Sequence, residues 1–230
     1  MSIIPRHVAI IADGNRRWAK EKNKSPIEGH TAGAYAIKRI IRELQKQGVH
    51  TITIWIFSTE NWKRASQQVA GLMRLFEKFA DDYFNDALAK KTRIIHLGRK
   101  DRLPSSLRDK IKKFEVKTRK FKTKILNIGL DYGGHDELIR AIKKMKNSPS
   151  TIDNLSIDDV NNFLDTAGQP YPEPDLIIRT GGEMRSSGFM IWQGAYSEYF
   201  FLDKYLPDVI EEDVTKVLAE YRERQRRFGK

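Results

Sequence analysis

His7 to Trp18 reads HVAIIADGNRRW. Val8 to Ala12 is apolar without interruption and rich in branched side chains, the pattern of a short strand buried on both faces. Asp13, Gly14 and Asn15 close it, and Arg16 and Arg17 follow at once. A strand buried on both faces belongs to a parallel sheet, and parallel sheets bind ligands beyond the carboxyl ends of their strands. The question is whether the rest of the chain supplies strands of the same kind.

It does. From Gly33, the spacing of Ile37, Ile40, Ile41 and Leu44 predicts a helix that stops at Gly48. Thr51 to Phe57, TITIWIF, is a second strand. Ser66 then opens a long amphipathic helix with Val69, Leu72, Met73, Phe76, Phe79, Ala80 and Tyr83 on one face. Arg93 to Leu97 forms a third strand, Ser105 to about Arg119 a basic helix, Lys124 to Leu130 a fourth strand, and Asp136 to about Met145 a helix. A short helical segment from Ile157 to Leu164 and a Pro-rich turn precede a fifth strand, Asp175 to Arg179. The last helix runs from about Glu211 to Arg226, acidic at its start and basic at its end, as the helix dipole favours. Strands that alternate with helices of this length imply crossover connections. The expected fold is α/β, a single domain over residues 1–230 with a mainly parallel central sheet and helices on both faces.

Composition narrows the function. Hydrophobic residues make up 40% and charged residues 31%, an ordinary globular balance. The absence of cysteine excludes disulfides, thiolate nucleophiles and cysteine-ligated zinc. No apolar run approaches the ~20 residues that span a bilayer, and the N-terminus lacks a signal-peptide pattern, so a cytoplasmic location is expected. The net charge of +12 points to a polyanionic partner. Nucleic acid is not expected, because Trp62 and Trp192 lie outside any basic and aromatic interleave. The chain has no GxxxxGK[ST], no GxGxxG after its first strand and no GxSxG elbow. Its five histidines show no metal-ligand spacing.

The strand ends carry the chemistry. The first offers Asp13, Gly14, Asn15, Arg16 and Arg17; the second, Ser58 through Arg64; the fourth, Asp131 to Gly134; the fifth, Arg179, Thr180, Gly181, Gly182, Glu183 and Arg185. Three of these loops contain arginine, whose planar fork grips phosphate oxygens in pairs. Asp13 does not bind phosphate itself, but a carboxylate beside arginines and phosphates can hold a magnesium ion that bridges to the phosphate oxygens. His30, after Gly29, is placed to face the same rim.

Taken together these motifs resemble the cis-prenyltransferases, the undecaprenyl diphosphate synthase family. HVAIIADGNRRWAK, EGHTAGA, TIWIFSTENWKR, LNIGLDYGGHDELI and PDLIIRTGGEMRSSGFMIWQGAYSEYFF carry the likeness over nearly the whole chain, together with the terminal RRFG. The resemblance implies a Mg2+-dependent enzyme that condenses isopentenyl diphosphate with an allylic diphosphate and leaves a cis double bond. It assigns Asp13 and Asn61 as catalytic residues and Asp13 with Glu198, of the same or the neighbouring subunit, as metal ligands. Gly14, Asn15, Arg16, Arg17, Trp18, His30, Ser58 and Arg64 go to the allylic diphosphate, and Arg179, Arg185 and Ser187 to isopentenyl diphosphate. Arg227 and Gly229 belong to a tail that reaches the active site across a homodimer contact. The resemblance also implies an apolar tunnel for the prenyl chain, walled by the helix from Gly33 and the Val69 to Tyr83 helix, and peripheral contact with a membrane for product release. On periodicity alone those helix faces read as ordinary core.

The sequence departs from the family pattern at Pro26, where an arginine is common, at Asp131 and His135 in the Asn-Tyr-Gly-Gly-Arg region, and at Gly188. Other readings are a head-to-middle prenyl diphosphate synthase on the same fold, or a non-enzymatic basic binding module or partner subunit.

Overall fold

A computed structural model describes residues 4–147 and 155–224. The elements in order are β1 (His7–Ile11), α1 (Asn15–Glu21), α2 (Pro26–Lys46), β2 (Thr51–Ser58), a 3-10 turn (Thr59–Lys63) and α3 (Ser66–Ala89). There follow β3 (Arg93–Leu97), α4 (Ser105–Thr118), β4 (Ile125–Tyr132), α5 (Gly134–Lys146), α6 (Ile157–Asn161) and β5 (Leu176–Arg179). The chain continues with β6 (Glu198–Phe201), a second 3-10 turn (Leu206–Asp208) and α7 (Glu211–Glu223). The six strands form one sheet in the order β3-β4-β2-β1-β5-β6. Every pairing is parallel.

All five residues of β1 are buried, because both faces of the sheet are covered. Val8 and Ile10 point to one side, where they pack with Ile37, Ile40, Ile41 and Leu44 of α2 and Val214, Val217 and Leu218 of α7. Ala9 and Ile11 point to the other, against Trp55, Tyr132, Phe189 and Met190. The two-residue period of the strand thus serves two separate cores. β2 lies on one side of β1 and β5 on the other, so the order of strand addition reverses at β1 and opens a crevice there.

Three features differ from the sequence expectation. The residues after Asp13 form the short helix α1 rather than a loop. α2 begins at Pro26, seven residues before Gly33, with a Ser25–Glu28 capping box at its start. Gly29 and Gly33 sit within it because α1 rests there: a Cβ would lie 2.2 Å from the Asn15 carbonyl oxygen at Gly29 and 2.1 Å from Asn15 Oδ1 at Gly33. The third difference is β6, a four-residue edge strand. Its run EYFF is too short to show a period.

Candidate active site

Register brings the first pair of functional side chains together. Ile11 of β1 pairs with Arg179 of β5, so the chain leaving β1 passes directly over the end of β5. Arg179 Nη2 donates to Asp13 Oδ2 at 2.8 Å, and its Nη1 donates to Ser187 Oγ at 2.8 Å. The Thr180 hydroxyl donates to the Asp13 carbonyl at 2.7 Å, and the Leu206 amide donates to the same oxygen at 3.1 Å. Asp13 is therefore held from the end of β5 and from the 3-10 turn before α7. Gly14 turns the chain with φ 99°, where a Cβ would lie 2.7 Å from the Tyr205 ring. Its amide donates to Asp13 Oδ1 at 2.6 Å.

Arg17, in the first turn of α1, lies 3.3 Å from Asp13 Oδ1. Burial would raise the Asp13 pKa, but the Arg179 guanidinium, the Gly14 amide and Arg17 together hold it below the ordinary carboxylate range. Asp13 is thus an anion held among cations. Across the crevice, Asn15 Nδ2 lies 3.3 Å from His30 Nδ1. Burial, followed by the nearby charges of Arg64 and Arg16, lowers His30 to about 4, so its ring is neutral near pH 7. Burial and the neighbouring Arg16 also lower Arg64. Among the described residues neither Arg16 nor Arg64 forms an ion pair, and the nearby Asp13 charge offsets only part of the lowering at Arg64.

A cavity of about 900 Å3 opens at this rim. Asp13, Gly14, Asn15, Arg16, Arg17, His30, Ser58, Asn61, Arg64, Arg179 and Ser187 line it, with Lys20, Lys24 and Pro26. Deeper, the lining changes to hydrocarbon: Ile37 of α2; Leu75, Phe76, Phe79, Ala80 and Tyr83 of α3; Leu107, Ile111 and Phe114 of α4; and Ile54, Ile94, Leu126 and Ile128 of the sheet. The Tyr83 hydroxyl donates to the Ala34 carbonyl at 2.7 Å and ties α3 to α2 across the cavity. Asn61 Oδ1 accepts from the Ser58 amide at 3.2 Å and fixes the turn after β2.

Other expected site residues lie elsewhere. The Trp18 indole donates to Asp208 Oδ1 at 2.8 Å and does not line the cavity. Arg185 is on the exposed rim, paired with Glu183 at 2.5 Å. Glu198 opens β6 opposite Leu176, at the end of the sheet away from Asp13, and pairs with Arg224 at 2.9 Å. One chain therefore does not bring Glu198 to Asp13. Arg227 and Gly229 lie outside the described residues.

Asp131 does not add a free charge to the site. It is fully buried, and both its oxygens accept from Arg102, which lies over the Trp62 ring. The partners are 29 residues apart, and no local pattern in the sequence marks the pair. Sequence reading also missed the buried network behind the Ser187 loop. There Tyr132 donates to Glu137 Oε2 at 2.5 Å, and Gln193 donates to both Glu137 oxygens at 3.1 Å.

Among the described residues no cluster of three or more carboxylate or histidine side chains could hold a metal. The donor set still suits magnesium, which binds through one or two carboxylates and takes its remaining ligands from water and substrate phosphates. No helix among the described residues is long and apolar enough to cross a membrane.

Comparison with known proteins identifies the fold and the family. The family model for undecaprenyl diphosphate synthase matches residues 11–229. A tritrans,polycis-undecaprenyl-diphosphate synthase (geranylgeranyl-diphosphate specific) from Pyrococcus horikoshii is 38% identical, over 99% of this chain and 88% of that protein. An isoprenyl transferase from Bacillus thuringiensis subsp. konkukian is 38% identical, over 98% of this chain and 88% of that protein. The crystal structure of lavandulyl diphosphate synthase from Lavandula x intermedia, in complex with dimethylallyl diphosphate, superposes with a TM-score of 0.94 at 33% identity, covering 99% of each chain. With a family model matched over residues 11–229, relatives 38% identical over nearly the whole chain and a solved structure that superposes over 99% of it, the chain belongs to the undecaprenyl diphosphate synthase family of prenyltransferases.

Proposed function

We propose that this enzyme elongates an allylic diphosphate with isopentenyl diphosphate units to give a polyprenyl diphosphate with cis double bonds. The observation that carries the reading is the cavity. Its mouth is cationic, its depth is hydrocarbon, and its volume of about 900 Å3 is near the upper end of the ~300–1,000 Å3 typical of small-ligand pockets. A long prenyl chain uses such a space. The names of the relatives extend to geranylgeranyl-specific and lavandulyl synthases, so both primer choice and coupling mode enter the test.

Arg16, Arg17, Arg64 and the α1 amides bind the allylic diphosphate, and neutral His30 offers a hydrogen bond beside it. Lys20 and Lys24 line the same mouth and supply the positive charge that Pro26 lacks. Arg179, Arg185 and Ser187 bind isopentenyl diphosphate. Two separate cationic sets hold the reacting carbons close together, which removes much of the entropic barrier to a bimolecular step. Asp13 is the magnesium ligand of this chain, and the ion when bound neutralises charge on the departing diphosphate. Asn61 holds the turn after β2 against the reacting centre. The active form is a homodimer in which Glu198 of a second copy completes the metal site.

The test is incubation with labelled isopentenyl diphosphate, Mg2+ and a panel of allylic diphosphates, followed by product-length and double-bond analysis. Elongated products with cis bonds are expected. Transfer to no primer overturns the reading, and a branched product of two five-carbon units replaces it with head-to-middle coupling. Asp13→Asn, which keeps the size of the side chain but removes its charge and one of its two acceptor oxygens, is expected to lower turnover at least ~100-fold.

A further inference from the structure

Glu183 lies just beyond β5, in the loop that carries Arg185. Gly181 and Gly182, with φ 89° and 74°, turn this loop back over α1. A Cβ at Gly181 would lie 2.8 Å from Arg17 Nη2, which shows how closely the loop approaches that guanidinium. Glu183 Oε1 accepts from Arg17 Nη1 at 3.1 Å, and Oε2 accepts from Arg185 Nη1 at 2.5 Å. One carboxylate thus holds an arginine from each diphosphate set.

A carboxylate engages the same N–H donors that a diphosphate uses, so Glu183 competes with both substrates. Its side chain is 33% exposed, within reach of an incoming anion. Within this ion-pair cluster Arg17, Arg179 and Arg185 against Asp13 and Glu183 leave one net positive charge, and Arg16, Arg64, Lys20 and Lys24 line the mouth beside it. A diphosphate on either arginine adds several negative charges beside Glu183. Its carboxylate is then repelled by the bound diphosphate, which weakens its hold on the remaining arginine.

We propose that Glu183 couples the two diphosphate sites: without substrate it engages Arg17 and Arg185 together, and a diphosphate that takes one arginine frees the other for the second substrate. The inference rests on the assignment of the two sites above. Because coupling between equilibrium binding events is reciprocal, either substrate assists the other.

Calorimetric titration with Mg2+, isopentenyl diphosphate and a non-ionising thiodiphosphate analogue of the allylic substrate tests it. In the native sequence each ligand is expected to bind about fivefold or more tightly once the other is present. In Glu183→Gln each ligand binds more tightly alone, and the mutual gain falls to about twofold or less. Glu183→Asp, whose shorter side chain does not span both arginines, loses the gain as well. An unchanged mutual gain in Glu183→Gln, no gain in the native sequence, or weaker binding of either ligand alone in Glu183→Gln overturns the proposal. Arg17→Ala and Arg185→Ala separate the two levels. If neither weakens either ligand, the site assignment fails; if each weakens its own ligand while Glu183→Gln keeps the gain, the sites stand and the coupling fails.

Discussion

Asp131 shows how one residue changes meaning once its neighbours are known. In the sequence it is a negative charge at the head of a phosphate-binding loop; in the fold it is completely buried and neutralised by Arg102. Arg102 remains 35% exposed, while the carboxylate has no access to water. Removing the arginine alone therefore strands a buried charge. Arg102→Ala is expected to cost about 3 kcal/mol in a urea titration, the lower end for a broken buried pair. Adding Asp131→Asn to that variant should recover most of the loss, since the amide needs no counter-charge. If the double variant is no more stable than Arg102→Ala, Asp131 does not depend on that pairing.

Among the elements, α1 and the first turns of α2 were the least legible and matter most to the site. Asn15, Arg16 and Arg17 were read as a loop because the glycine before them signals a turn and the helix is only seven residues long. Gly29 and Gly33 hid the start of α2, since glycine argues against a helix interior. Their reason lies outside the helix, in the close approach of α1. Gly33→Ala is expected to push Asn15 away from His30 and raise KM for the allylic substrate about tenfold, with a smaller effect on KM for isopentenyl diphosphate. Equal effects on both constants would mean that α1 does not distinguish the two sites.

The strands were legible for the opposite reason: burial on both faces leaves an unbroken apolar run. β1 and β3 also carry His7 and His96, each lowered to about 4 chiefly by burial. Both side chains are neutral in the fold and titrate near 6.5 when unfolded. Between these values the unfolded chain binds protons that the native chain does not, so stability falls as pH drops through that window. The urea midpoint should be lower at pH 5 than at pH 7.5, and His7→Gln should reduce the difference. A midpoint at pH 5 that equals or exceeds the one at pH 7.5 contradicts this sign.

At the scale of the whole molecule, the parallel sheet fixes which residues one chain can bring together. All six strands point the same way, so Asp13 lies beyond one end and Glu198 lies at the other. The motif match assigned both to the metal and left open which subunit supplies Glu198, because a motif carries no direction. If the second copy supplies Glu198, co-expressed Asp13→Ala and Glu198→Ala chains form mixed dimers with one intact site each. With random pairing about a quarter of native activity should return, although each variant alone is inactive. No recovery would place both residues in service of the same chain's site.

The cavity has a consequence for the end of the catalytic cycle. If the growing chain occupies it as proposed, its walls of Phe79, Ile94 and Phe114 offer that chain a hydrocarbon solvent inside the protein. Each buried methylene stabilises the bound state by roughly 0.8 kcal/mol, so every added isoprene unit makes departure into water slower. The length at which synthesis stops and the rate at which product leaves are then not independent properties. On that reading a completed chain would leave more readily into another oily phase than into water, and turnover measured in plain buffer would report that escape as well as the chemistry.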